Sequence, residues 1–387
     1  MTDLDTKGPT SLKLPLPEVP GKPVVEEPLW LIRLRLARRS FRRNWKLFAR
    51  NKIGVAGLVI IGMFAVMALI HPILMSRVWD PAIYDPFDGY DAPRTLLTVV
   101  EKCDIPEDAV SATCPPGEID LASARLKTHP FVKVGEVIEI PQQPAPPSDA
   151  HWLGTDPLGR DILSQLMYST RAAFALGAIA ALVTVFIATS IGSIAAFYGG
   201  WLDSVLMRFA DLVLLVPLIP VLIVMSALLP GIQVFGFQLE MSLPLLGVLI
   251  GILSGFGGTA IVLKSQALSV TVKPFVDAAR VAGGSNAHII FRHIIPNVLP
   301  LSFLYMMFTV TEAISLEATL SFLGLMNTPM SWGIMIYTTH SQGYLLSGTS
   351  YWWLLIPAGM AVTLVAAAFF LVGRAMDEVI NPRLRRR

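Results

Sequence analysis

Groups able to do chemistry are few and scattered along this chain of 387 residues. The six histidines, His71, His129, His151, His288, His293 and His340, show no H-E-x-x-H metal spacing, and the five-residue offset of His288 and His293 does not place that pair on one α-helical face. No G-x-x-x-x-G-K-[ST] phosphate loop occurs, so the chain is not expected to hydrolyse ATP itself. A covalent hydrolase needs a nucleophile with a base and an orienting group, and no such grouping is visible. Glu312, Glu317 and Asp211 fall within or beside apolar runs. Charges at depth in a bilayer are costly and face a cavity or a partner. A proton or substrate pathway is one reading of them. Pairing between helices or subunits is the other, and it is preferred because the acids form no relay.

The densest polar grouping is Lys273–Pro296, an island between two long apolar runs. Asp277, Arg280, Asn286, His288, Arg292 and His293 make it too polar for lipid, while its pattern is too regular for a linker. It reads as two short helical runs broken at Gly283-Gly284, with Ser285 and Asn286 placed to cap the second. Such a knuckle on a membrane protein suits a docking surface. Small side chains at Ala278, Ala279 and Ala282 permit close approach, Gly283 permits the reversal, and Asp277 and Arg280 supply rim charges that fix orientation.

Composition dictates what surrounds the knuckle. The chain is 53% hydrophobic and only 15% charged, with a mean hydropathy of +0.60, outside the range of soluble domains. A spanning helix takes about 20 mainly apolar residues. Six segments qualify: Ile53–Leu74, Ala172–Phe197, Val205–Leu229, Leu243–Leu263, Val298–Leu316 and Trp353–Val372. The expected fold is therefore all-α, a polytopic membrane protein with six transmembrane helices. Neither an internal repeat nor a pair of Gly/Pro-broken spans in matching positions is evident, which counts against an ion-coupled secondary transporter working alone. Gly192 and Ala196 favour close helix packing, and Met306-Met307 reads as packing.

Basic residues set the expected orientation. Arg33, Arg35, Arg38, Arg39, Arg42, Arg43, Lys46, Arg50 and Lys52 crowd the approach to the first span, and Arg383-Leu-Arg-Arg-Arg387 follows the last. By the positive-inside rule both termini and the knuckle lie in the cytoplasm. Residues 1–28 read as a disordered tail without a cleavable signal. Residues 29–52 read as a basic interfacial helix or a plain topogenic cluster, 53–75 as the first transmembrane helix, 76–171 as an extracytoplasmic segment, 172–376 as the main transmembrane domain and 377–387 as a basic tail. Basic runs that flank spans, with an acidic outside segment, argue against nucleic-acid binding.

The outside segment holds Asp80, Asp85, Asp88, Asp91, Glu107 and Asp108. Partial alternation over Phe131–Ile140 predicts a strand, with Pro141–Pro147 an extended connector. Cys103 and Cys114 lie here in an oxidising compartment; their spacing is compatible with a disulfide without being diagnostic. In His151–Arg171, Thr155 or Asp156 can cap a helix opening at Pro157, and Arg160 and Asp161 are available for pairing. A structural cap on the outer end of the bundle is preferred to direct substrate contact.

His151…Leu153-Gly-Thr-Asp-x-x-Gly-Arg-Asp161 resembles the signature of ABC-transporter permeases of the oligopeptide/dipeptide (nickel) import class. The signature's candidate cap residues are Gly154, Thr155, Asp156, Gly159, Arg160 and Asp161. Tyr198-Gly-Gly-Trp-Leu-Asp203 with Met207-Arg208 and Asp211, and Glu317-Ala-Thr-Leu-Ser-Phe-Leu-Gly324 with Pro329 and Ser331-Trp-Gly333, match in order. The knuckle is similar to the cytoplasmic "EAA" loop with which importer permeases dock their ATPase. There Asp277 stands at the glutamate position, Ala278 and Ala279 follow, and Gly283 takes the glycine. The C-terminal Val372–Pro382 stretch departs from the family's acidic Gly-Asp-Gly-like pattern, and the outside segment is longer than that pattern predicts.

The resemblance implies an inner-membrane permease subunit of an ATP-driven importer. It implies coupling helices between spans four and five, with Asp277, Ala278, Ala279, Arg280, Gly283, Asn286 and Arg292 as the ATPase-docking residues. It also implies a second homologous permease, two ATPase subunits that carry the ATP and Mg, and an extracytoplasmic solute-binding protein. No cofactor or metal is expected on this chain itself. Short peptides are the expected cargo, with oligosaccharide or chelated nickel as alternatives.

Overall fold

The computed structural model describes residues 45–90, 94–103, 114, 117–127, 130–141, 143–231, 233–234, 237–238, 240–346 and 348–380, together with 35, 38, 39 and 42. The N-terminal tail 1–28, half of the basic stretch 29–52, the C-terminal arginines, and Asp91, Glu107, Asp108 and His129 lie outside the described residues. Residues 1–47 cluster apart from 48–387, and the architecture below is that of the larger unit.

Four helices are long and apolar enough to cross a membrane: Lys52–Arg77, Ile162–Tyr198, Asn286–Phe322 and Thr349–Val379. Two further pairs qualify only when each is counted as one bent span, giving up to six. Helix α1 (Lys52–Arg77) opens on Asn51, whose side-chain oxygen accepts from Ile53 and Gly54 N–H. The short α2 (Pro81–Tyr84) follows. Between α1 and the next long helix stands a small sheet, a departure from a purely helical fold. Strand β1 (Arg94–Val100) pairs in parallel with β2 (Glu118–Asp120), with Val99 opposite Ile119, and antiparallel with β3 (Val137–Pro141), with Leu96 opposite Glu139. Helix α3 (Leu121–Lys127) closes its core of Val99, Ile119, Ala124, Val132, Ile138 and Ile140.

The strand expected over Phe131–Ile140 forms only in its second half. Residues 133–136 make a turn instead, in which the Glu136 side chain accepts from Lys133 N–H and Gly135 adopts φ +86°. Cys103 and Cys114 are joined by a disulfide with Cα atoms 5.2 Å apart. At the edge of the sheet the Asp120 carboxyl sits below the usual range, because the Ser123 side chain and backbone N–H bond to it.

Helix α4 (Ile162–Tyr198, 37 residues) is the central strut. At 1.5 Å per residue it is about 55 Å long, against roughly 30 Å of hydrocarbon. That explains why it starts ten residues before the Ala172 read from hydropathy: its first turns are polar. The start is capped by Asp161, not by Thr155 or Asp156 as the sequence suggested. The face turned to the next elements is made of small residues, Ala173, Gly177, Ala180, Ala181, Thr184, Ala188 and Gly192, all buried.

After Gly199 and Gly200, both at positive φ, come α5 (Gly200–Leu215) and α6 (Leu218–Leu228), bent by 80°. Pro217 cannot continue the hydrogen-bond ladder and disfavours helical φ/ψ at Val216. A two-residue ribbon, β4 (Gln233–Val234) with β5 (Phe237–Gln238), leads to α7 (Leu243–Phe256) and α8 (Gly258–Thr271), bent by 47° at Gly257. Two candidate spans, adjacent in sequence, are thus bent at breaks, where the residues alone showed no Gly/Pro-broken pair in matching positions. On α7, Gly247, Gly251 and Gly255 meet the ridge Ile179, Val183 and Ile187 of α4, and a Cβ built at Gly251 would lie 2.9 Å from the Ala180 carbonyl oxygen. Without a hydrophobic drive between helices in lipid, such close approach is what holds them together.

Helices α9 (Pro274–Val281) and α10 (Asn286–Ile289) lead through a π-helical turn, Ile290–Ile294, into α11 (Ile295–Phe322). Helices α12 (Trp332–Ser341) and α13 (Trp352–Ile380) complete the chain, the last running past the residue-376 boundary read from sequence. One core joins α1, α4, α11, α12 and α13 around Trp332. Its indole N–H donates to Leu166 O at 3.2 Å, and its ring meets Phe64 edge-on at 5.8 Å.

Candidate functional site: the polar knuckle and the capped end of the bundle

The knuckle is two short helices reversed on a glycine pair. Gly284 N–H donates to Ala279 O and Gly283 N–H to Arg280 O, each at 3.0 Å, with Gly283 at φ +80°. These are the two bonds of a Schellman ending, which needs a residue tolerant of the left-handed region. Ser285 caps α10, its Oγ accepting from His288 N–H at 3.3 Å, while Asn286 is the first helical residue.

Val276 is the fully buried anchor of α9, in a cluster with Leu263, Ala267, Val270, Ile289 and Ile294. Arg280 lies over the Phe197 ring of α4, 5.3 Å from its centroid, and its guanidinium reaches Asp277 at 3.5 Å. Ala279 turns partly inward, whereas Ala278, Ala282, Asn286 and Arg292 are exposed. Val272, Val281 and Phe291 project as well, Val281 being 90% exposed. The predicted docking residues therefore share one protruding element without converging on a pocket.

The two histidines here correct the sequence reading. The His288 and His293 rings lie 5.6 Å apart. An α-helix would not align residues five apart, but the intervening segment is π-helical, with i→i+5 periodicity. Its cause is local: Pro296 lacks an N–H and its ring would crowd the carbonyl of Arg292, so the turn widens. Asn297 Nδ2 donates to the His293 carbonyl at 2.8 Å.

At the start of α4 the block 151–165 closes on itself. Asp161 Oδ2 accepts from Ser164 N–H at 2.7 Å, and Asp161 Oδ1 from His151 Nδ1 at 2.9 Å, with both side chains 1% exposed. Ser164 Oγ donates to Tyr84 O, so His71 Nε2, at 3.1 Å, must be the donor to that hydroxyl. Asp156 Oδ1 accepts from Leu158 and Arg160 N–H, while Oδ2 takes Arg160 Nη2 at 2.6 Å, Arg160 Nε at 2.8 Å and Gln165 Nε2 at 3.1 Å. Thr155 is tied to Ala145 through N–H and Oγ1. Gly154 (φ +76°) and Gly159 (φ +84°) pass so close to Ala145 and Tyr90 that a side chain at either would collide. Nearby, Tyr344 donates to Gln143 O at 3.3 Å, and burial, helped by Tyr351, pushes its phenol above the ordinary value.

The remaining sequence blocks are junctions. Asp203 of α5 holds Lys264 of α8 with its two carboxylate oxygens 2.5 and 2.8 Å from Nζ. Glu317 accepts from Ser321 Oγ at 2.5 Å, and Ser331, which caps α12, bonds to Ser321 at 3.3 Å. Glu312 accepts from Ser254 Oγ of α7 at 3.1 Å. Sequence reasoning missed His71, Ser164, Gln165 and Lys264. The signals were a lone histidine in an apolar span and a lone lysine just past one. Their partners lie 93 and 61 residues away, with no local trace.

Residues 188–386 match the family of binding-protein-dependent transport system inner membrane components. The dipeptide transport system permease protein DppC of Bacillus subtilis is 32% identical over 262 residues, covering 66% of this chain and 77% of the relative. The oligopeptide transport system permease protein OppC of the same organism is 33% identical over 245 residues, 62% of this chain and 74% of the relative. The DppC protein of Alkalihalophilus pseudofirmus is 26% identical over 349 residues, 89% of this chain and 90% of the relative. With its several apolar spans, this family match and these permease relatives, the chain belongs to the binding-protein-dependent inner membrane component family and is a multi-pass permease subunit of an ABC importer, a transport component rather than an enzyme.

Proposed function

We propose that this chain forms half of the translocation path for short peptides, working by alternating access with a second homologous permease. Two ATPase subunits supply ATP and Mg on the cytoplasmic side, and an extracytoplasmic solute-binding protein delivers the cargo. Both termini and the knuckle lie in the cytoplasm, following the basic flanks. Relatives named as dipeptide and oligopeptide permeases support peptide cargo over oligosaccharide or chelated nickel.

The observation that carries the docking role is the protruding knuckle. Its exposed Val272, Val281 and Phe291 are rimmed by Asp277 and Arg280, while one buried valine and the Arg280–Phe197 contact fasten it to the spans. Exposed apolar groups rimmed by charge mark interaction surfaces. ATP-driven closure of the ATPases moves α9, and α9 tilts the spans it is fastened to. Asp277 is already engaged with Arg280, so its shorter arm orients the rim in place of a longer glutamate.

Val281→Asp tests this directly. The side chain is 90% exposed and supports no core, so membrane insertion and the fold are unaffected. ATPase co-purification and transport should fall by at least about tenfold, the effect of burying one unpaired charge in an interface. Gly283→Leu, which forces a branched side chain to φ +80°, should uncouple hydrolysis from transport with insertion intact. Wild-type coupling in both variants would remove the docking role.

A further inference from the structure

We propose that the basic stripe ahead of α1 holds the phosphates of anionic phospholipid headgroups in the inner leaflet, an inference that rests on the cytoplasmic placement of this end given above and not on the cargo. Residues 29–52 carry Arg33, Arg35, Arg38, Arg39, Arg42, Arg43, Lys46, Arg50 and Lys52 and no acid. That count alone fits a topogenic cluster as well as a lipid surface, and arrangement separates the two. Orientation in the bilayer depends on how many Lys and Arg flank a span, whatever their position around a helix axis. A membrane plane lies on one side of a helix and selects one face.

Residues 35, 38, 39, 42 and 45–48 are helical, and Arg35, Arg38, Arg39, Arg42 and Lys46 are all exposed. Their spacing of i, i+3, i+4, i+7 and i+11 confines them to an arc of roughly 100° on a helix. Trp45, 47% exposed, falls at the edge of that arc, and amphipathic indole rings concentrate at headgroup level. Phe48 falls outside it and is buried with Val372 and Ala375 of α13. Asn51 then caps α1, so the stripe stops where the first span begins.

The ligand follows from the donors. Four guanidinium groups and one ammonium offer N–H and no acceptor, and a guanidinium fork matches two phosphate oxygens at once. From Arg35 to Lys46 the stripe runs about 17 Å, longer than one headgroup. Each Lys or Arg beside an anionic leaflet strengthens binding by about fivefold. The attraction fades within about 8 Å at physiological salt, so the lipids held are those in contact with the stripe.

A fluorophore on Ala49→Cys, an exposed small residue just past the stripe, reads the lipid beside it. Cys103 and Cys114 are bonded to each other, so the new thiol is the reactive one on this chain, and cysteines of the partner subunits are replaced. The assembled importer is placed in nanodiscs of phosphatidylcholine with about one third phosphatidylglycerol, and either lipid in turn carries a shallow nitroxide quencher. The ratio of phosphatidylglycerol to phosphatidylcholine at the probe should exceed that of the bilayer by at least about fivefold. High salt should return it to the bilayer value, as should Arg38→Gln, Arg39→Gln, Arg42→Gln and Lys46→Gln combined, while Arg→Lys at the three arginines keeps most of the preference. A bilayer ratio in the unsubstituted importer, or a preference that survives salt, overturns the proposal. Quenching by neither lipid together with salt-sensitive retention of the ATPase assigns the stripe to the ATPase and overturns it as well. Nanodiscs expose both leaflets, so these readings do not depend on orientation. Labelling of Ala49→Cys by an impermeant thiol reagent from outside intact spheroplasts would refute the cytoplasmic placement instead, and the lipid ratio still decides whether the stripe holds anionic headgroups.

Discussion

Replacing Asp161 with alanine should loosen one end of the bundle by an amount that can be built up from its bonds. The carboxylate does two separate things. Oδ2 caps α4 through Ser164 N–H at 2.7 Å, and Oδ1 accepts from His151 at 2.9 Å with both side chains 1% exposed. Loss of an N-cap costs about 1 kcal/mol. Leaving the buried His151 donor without that acceptor costs a further 1–3 kcal/mol or so. The sum, about 2–4 kcal/mol, is large against the stability of a typical domain. Asp161→Asn keeps one acceptor oxygen for Ser164 N–H and turns its amide N–H toward His151, whose Nδ1 can accept it only in the other tautomer, so it should lose about 1–3 kcal/mol. Reversible unfolding of the purified subunit in mixed micelles, titrated with denaturing detergent, reads the difference. Transport by Asp161→Asn should stay near wild type if Asp161 acts only through its bonds within this chain. An alanine variant within about 0.5 kcal/mol of wild type would refute the bookkeeping. An asparagine variant that is stable yet dead in transport would refute the structural reading.

Other parts of the structure make their own predictions. Lys264→Met should destabilise by about 2–4 kcal/mol by leaving Asp203 unpaired at a partly buried site, and Asp203→Asn should restore part of that loss; additive effects in a double-mutant cycle would show that the pair is not coupled. Gly251→Leu should abolish stable packing of α7 on α4, read as loss of folded subunit in the membrane, because even a Cβ there lies 2.9 Å from the Ala180 carbonyl oxygen. Cys103→Ser with Cys114→Ser should leave the helical core intact and raise proteolysis only between β1 and β2; a lower unfolding midpoint for the whole subunit would show that the small sheet and the spans unfold together.

Much of this architecture was legible in the residues, for identifiable reasons. Apolar runs of about 20 residues mark spans because lipid allows little else. The Gly283-Gly284-Ser285 string marks a reversal, because a left-handed ending and a following cap have narrow residue requirements. What stayed hidden was long-range or context-bound. The first polar turns of α4 were indistinguishable from loop by hydropathy. Asp161 looked like one charge among several, since its partner His151 is meaningful only once the loop folds back. The bend after α5 falls at Pro217, a residue that a span tolerates when neighbouring helices satisfy the freed carbonyls, and the bend after α7 falls at Gly257 in a run that stays apolar. The approach of His288 to His293 is hidden from residue spacing because it depends on a π turn, which Pro296 favours without marking its extent.

These features together divide the molecule mechanically. Helix α4 is continuous for 37 residues and is fixed at its beginning by the Asp161–His151 and Ser164–His71 bonds. Its far end carries Phe197, on which Arg280 of the knuckle rests. The broken pairs α5–α6 and α7–α8 flank it, one joined to the other by Asp203–Lys264. A push on the knuckle therefore meets a stiff strut anchored at its opposite end, while the chain's compliance is concentrated at Val216–Pro217 and Gly257. Rigid-body motion about such breaks, with the strut as reference, requires less distortion of packed helices than bending α4 itself. The cap and the knuckle, two polar islands of an apolar sequence, thus sit at opposite ends of one helix: the cap fixes its beginning, and under the docking proposal above the knuckle would load its far end.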